Sequence, residues 1–184
     1  MTFAGQGAMK GTWITSFRAA VLVRLFGAFA LALGLPSAAS GQVMWQNVER
    51  GMSLEQVRSA QPKAVAVDKP ENLHDGATCE LHLSDYQVGL SKYEVCFYFL
   101  RGRLSQVTLG HIGKPEKSNF DEVVLLLTAK YGKPISVEQD VLGWSAEWVL
   151  PNGVNISVLY IGPKLTPLIN INFQYRIKTE SDKL

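Results

Sequence analysis

Apolar and polar positions alternate most regularly in the last third of the chain. Trp144, Ala146 and Trp148, then Val154, Ile156, Val158 and Tyr160, then Ile169, Ile171, Phe173 and Tyr175 fall on one side of three strands. These strands are predicted at Trp144 to Leu150, Val154 to Ile161 and Leu168 to Ile177, with Pro151-Asn152-Gly153 turning the first into the second. Their opposite side carries Ser145, Glu147, Asn155, Ser157, Asn170, Asn172, Gln174 and Arg176, with Val149, Leu159 and Ile161 as its apolar members. Just upstream, Phe120, Val123, Val124, Leu127 and Tyr131 recur at helical spacing until Gly132 and Pro134 end the run. That helix is expected to cover the apolar side of the sheet.

The first half reads less simply. Ser53 and Gln56 stand at the two positions of a capping box, Met52 and Val57 form a hydrophobic staple, and Pro62 stops the short helix that follows. A small apolar patch, Ala64 to Val67, precedes a Pro-, Asn-, Asp- and Gly-rich loop from Lys69 to Ala77. Strand-like runs then occur at Cys79 to Leu83, Tyr86 to Leu90, Tyr93 to Leu100 and Leu104 to His111, the last two closed into a hairpin by Arg101-Gly102-Arg103. Tyr93 to Leu100 is apolar on both faces, which marks a central strand. The repeated order of helix and strands suggests a duplication. With no helix between successive strands, it predicts an α+β protein of two helix-then-antiparallel-sheet units, residues 42–112 and 113–184.

Composition changes the picture at the N-terminus. The first 41 residues hold Lys10, Arg18 and Arg24 and no acid, then an uninterrupted apolar run from Leu25 to Leu35, then Pro36 and small residues. This is the layout of a secretory signal peptide, and the run falls well short of the roughly 20 residues needed to span a bilayer. Cleavage is expected after Ala39 or Gly41, with Met1 or Met9 as the start. The alternative, an uncleaved anchor, would need Ala19 to Val23 to extend the run past Arg24. The whole chain carries 18 bases against 16 acids. Removal of three bases with the signal leaves a mature chain near −1, without a block of like charge. Neither nucleic acid nor an anionic membrane patch is therefore an expected partner, and no membrane insertion is expected after cleavage.

An exported chain reaches an oxidising compartment, so Cys79 and Cys96 are expected to form a disulfide. If both sulfurs lie on one side, Leu81 and Leu83 oppose Phe97 and Phe99 unless a bulge intervenes, and the register stays open. No metal or cofactor site is expected: Cys79 and His82 lie at odd spacing, and no phosphate loop, zinc helix or dinucleotide fingerprint occurs. The histidines, His74, His82 and His111, stand in no nucleophile motif, and adjacent His74 and Asp75 make a poor dyad. Glu138, Asp140 and Glu147 are too scattered for paired-carboxylate chemistry. No catalytic residue is expected. Trp144 and Trp148 are expected in the core by strand parity.

One segment is motif-like. Trp45-x-x-Val48-x-x-Gly51-Met52-Ser53-x-x-x-Val57, closed by Pro62, resembles the opening of the small envelope domains of the BamE family, and the duplicated order is similar to the β-lactamase inhibitor protein fold. Two departures stand out: no lipidation cysteine lies near the cleavage site, and the second helix lacks the Gly-Met-Ser opening. The resemblance implies a non-catalytic protein that presents a sheet face to another protein; with the export signal this predicts a periplasmic or secreted module that binds another envelope or secreted protein in envelope assembly or maintenance. The eight polar residues from Ser145 to Arg176 on the open side are the candidate binding face. An inhibitor of a secreted hydrolase and a small hydrolase using His74 or Glu147 are the alternatives.

Overall fold

The computed structural model describes residues 42–175. The signal peptide expected in residues 1–41, the candidate face residue Arg176 and the end of the last predicted strand lie outside the described residues.

A short ribbon opens the fold, β1 (Val43–Trp45) against β2 (Val48–Glu49), followed by helix α1 (Leu54–Ala60). Ser53 caps α1 as its pattern requires: its hydroxyl accepts the Gln56 N–H, and the Gln56 side chain accepts the Ser53 N–H at 2.8 Å. Then come β3 (Val65–Ala66), β4 (Thr78–Val88), β5 (Ser91–Leu100) and β6 (Arg103–His111). Helix α2 (Lys117–Tyr131) leads to β7 (Ser136–Gln139), β8 (Gly143–Val149), β9 (Val154–Ile161) and β10 (Leu168–Tyr175).

The expected pair of helix-then-sheet units is not what forms. All strands from β3 to β10 join one antiparallel sheet in the order β3-β4-β5-β6-β10-β9-β8-β7, and the protein is mostly β, at 49% strand and 16% helix. The seam is β6 against β10, with Val107 opposite Phe173 and Leu109 opposite Ile171. The reason is physical: each four-strand half would otherwise end in an apolar strand with an unpaired row of N–H and C=O groups, and fusion satisfies both edges at once.

One face of this sheet is the core. Leu81, Phe97, Val107, Ile171, Ile156 and Trp148 are buried there, together with Val57 of α1 and Phe120 and Val123 of α2. Trp45 of the ribbon closes the first half's side, packing edge-on against Tyr86 and Phe97. Each such large side chain contributes about 1.5–3 kcal/mol by leaving water.

Three local expectations are corrected. The runs Cys79 to Leu83 and Tyr86 to Leu90 are one strand, β4, kept continuous by an irregularity between Leu83 and Tyr86. The open register is settled by a bulge between Cys79 and Leu81: Cys79 stands opposite Tyr98 while Leu81 stands opposite Phe97, so two residues of equal parity face opposite sides. Helix α2 begins at Lys117 rather than Phe120, because the Asn119 side chain accepts the Glu116 N–H at 2.8 Å and starts the helix a turn early.

Candidate functional site

The face opposite the helices is built by cross-strand register. One row runs across all eight strands: Val65, His82, Cys96, Thr108, Asn172, Ser157, Glu147 and Ser136 stand in successive opposition. A second row places Glu94, Gly110, Asn170, Leu159, Ser145 and Glu138 across six strands. A third aligns Cys79, Tyr98, Gln106, Gln174, Asn155 and Val149. Seven of the eight candidate face residues (Ser145, Glu147, Asn155, Ser157, Asn170, Asn172 and Gln174) thus lie together on one partly exposed surface.

Side chains along the rows are linked. Gln106 Nε2 donates to Thr108 Oγ1 at 2.9 Å, Thr108 donates its hydroxyl hydrogen to Asn172 Oδ1 at 2.9 Å, and Asn172 Nδ2 donates to Ser157 Oγ at 3.3 Å. This chain crosses the β6–β10 seam and holds the polar side chains of both halves in one orientation. Asn155 Oδ1 is enclosed without a protein partner.

At the β3–β4 edge of the sheet the connection formed by residues 67–77, a strap, folds over the open face. Val67 and Leu73 of the strap, with Ala77 at its end, pack on Cys79, Tyr98, Cys96 and Leu100 as a second, smaller core. Its backbone is tied down by Cys79 N–H donating to Glu71 O at 2.9 Å and Val67 N–H donating to Glu80 O at 3.2 Å. Cys79 and Cys96 lie at disulfide distance beneath it, Cα atoms 5.8 Å apart. Where strap and sheet meet, a cleft of about 430 Å³ opens over His82, Glu94, Thr108, Gly110 and Asn170. His82 Nδ1 and Glu94 Oε1 are 2.7 Å apart at its rim.

The sequence missed this half of the face. His82 reads in the sequence as a candidate metal ligand or catalytic base and not as a face residue, and no motif marks Glu94, Gln106, Thr108 or Gly110. The bulge at Cys79–Leu81 and a register shift between Tyr98 and Phe99 break the parity that made the second half legible. Polar alternation through Gln106, Thr108 and Gly110 was the available signal.

Glu138 and Glu147 stand diagonally on the neighbouring strands β7 and β8, and the other candidates for chemistry are dispersed. His74 is exposed in the strap, and Asp75 does not orient it: the Asp75 carboxylate accepts the Ala77 N–H at 3.0 Å. Asp140 accepts the Leu142 and Gly143 N–H groups at 2.7 and 2.8 Å and shapes its own turn. His111 lies on the helix side, edge-on to Tyr93, and burial lowers its pKa. Among the described residues no three metal-ligating side chains converge.

The tryptophans divide. Trp148 is buried at 2% exposure and donates its indole N–H to Gly132 O at 2.9 Å. Trp144, expected in the core, is only half-buried, and the Lys117 ammonium sits 4.3 Å from its ring centroid. The first turn of α2 meets Trp144 through Lys117 and Phe120, and its C-terminal cap, Gly132, meets Trp148. Among the described residues no helix is long and apolar enough to cross a membrane. No protein-family model, no curated protein and no solved structure matches the chain.

Proposed function

We propose that this is an exported, non-catalytic protein-binding module of the bacterial envelope, periplasmic or secreted, which docks another envelope or secreted protein on its open sheet face. The signal-like N-terminus and a cysteine pair placed to bond support export. One observation carries the binding reading: a row of side chains, mostly polar, runs across eight strands, hydrogen-bonded through its centre, on the face the helices leave uncovered. Such a surface is wide, held in place by backbone pairing and lined with partly exposed polar side chains, as a polar protein interface needs. The BamE-like opening around Gly51-Met52-Ser53 agrees with a scaffold of this kind. The hydrolase-inhibitor alternative needs exposed aromatic anchors at the centre of the face. Tyr98 is the aromatic residue of that face among the described residues, and the strap buries it.

The test is a double substitution, Glu147→Arg with Ser157→Arg, on two neighbouring positions of one row. Both side chains point away from the core, so the circular dichroism spectrum and melting temperature stay close to those of the parent. Pull-down of the native partner from envelope extract falls at least tenfold. Equal capture by parent and variant contradicts the proposal.

A further inference from the structure

The cleft beneath the strap has a chemistry of its own. In the row that runs from Glu94 to Asn170, Gly110 supplies no side chain, and this leaves a pit in a surface otherwise paved by side chains. The glycine is not there to relieve a clash. A Cβ at Gly110 would meet Asn170 Oδ1 at 3.5 Å and the Glu94 carbonyl at 4.0 Å, both ordinary contacts. The pit is therefore open space with acceptors around it. Asn170 turns its side-chain oxygen toward it, Thr108 has given its hydroxyl hydrogen to Asn172, and Glu94 keeps one carboxylate oxygen beyond the one bonded to His82. On the strap side, Asp68 and Glu71 stand against the single ammonium of Lys69.

Acceptors with lone pairs to spare beyond their bonds to Gln106 and His82, with carboxylates in excess, specify what fits: a group that brings hydrogens and positive charge. We infer that the Gly110 pit is a socket for a cationic side chain, arginine or lysine, projected by the docked partner. This rests on the protein-binding reading of the open face and names the partner's anchor. The residues of the socket position and neutralise the cation: Glu94 as counter-charge, Asn170 and Thr108 as fixed acceptors, and the strap as the wall that limits water.

The probes are Nα-acetylarginine amide, Nα-acetyllysine amide and, as a neutral isostere, Nα-acetylcitrulline amide, each titrated into the mature protein with backbone amide NMR shifts as readout. A lone charge-assisted anchor binds in the millimolar range. The expected result is saturable shifts at Glu94, Thr108, Gly110 and Asn170 with the cationic amides and none with citrulline. The stronger of the two identifies guanidinium or ammonium as the natural group. Gly110→Leu, which fills the pit, and Glu94→Gln, which removes the charge, each abolish the response while leaving shifts elsewhere in place. No response to either cation, an equal response to citrulline, or a response surviving in Gly110→Leu overturns the inference. Partner capture that persists while the socket fails to respond separates this failure from that of the docking face.

Discussion

Tyr93 shows how a single polar atom registers in the whole. Its side chain is fully buried under the helices, its hydroxyl has no partner, and burial pushes its pKa up to about 12, with nearby Glu122 adding to the shift. A raised folded pKa means that the protonated form is favoured by the native state. Its contribution is whole below the unfolded pKa near 10 and is lost as pH rises through about 12. Urea unfolding measured from pH 9 to 12 should therefore show stability falling by up to about 1.4 kcal/mol per pH unit above pH 10. Tyr93→Phe removes the ionisable group and the unpaired hydroxyl together. It should flatten that alkaline limb and be neutral or stabilising by up to about 1 kcal/mol at pH 7. A variant as alkali-sensitive as the parent contradicts this account.

At the level of elements, the link between β4 and β5 matters most for the candidate site, because it lies beneath the strap that walls the cleft. Cys79 and Cys96 are 17 residues apart in sequence, and a closure of that length contributes about 3 kcal/mol. The double substitution Cys79→Ser with Cys96→Ser should lower the melting temperature measurably in calorimetry. Faster amide exchange is expected at Val67 to Ala77 than at β9, since the strap loses the small core it packs on. Uniform exchange would mean the strap is held by its backbone bonds alone. The same elements explain what could be read from the chain. Helix α1 was legible because its cap, staple and terminating proline are all local. Strands β8 to β10 were legible because no bulge interrupts their parity. The fused sheet was not, because nothing in β6 or β10 taken alone says that each pairs with the other across some sixty residues. The first half of the face was hidden by the bulge, which lets Cys79 and Leu81 share a parity and yet face opposite sides.

For the whole molecule, the seam decides stability and underlies the proposed docking. Because β6 pairs with β10, the two halves share one core and one open face. They should unfold together: guanidinium transitions followed by far-ultraviolet circular dichroism and by tryptophan fluorescence should coincide at one midpoint. Two separated transitions would show halves that are independent. The same continuity lets Gln106, Thr108, Asn172 and Ser157 act as one ordered polar stripe, and the proposed docking depends on that stripe. The most direct measurement is site-specific photo-crosslinking in the native envelope, with the reactive residue placed at Ser157 on the open face or at Leu125 on the outer side of α2. Ser157 is partly exposed and Leu125 well exposed, so access alone would favour crosslinks from Leu125. The account predicts one discrete crosslinked protein from Ser157, lost when Glu147→Arg is added, and none from Leu125. Crosslinks from Leu125 but not from Ser157 would place the working surface on the helices and contradict it.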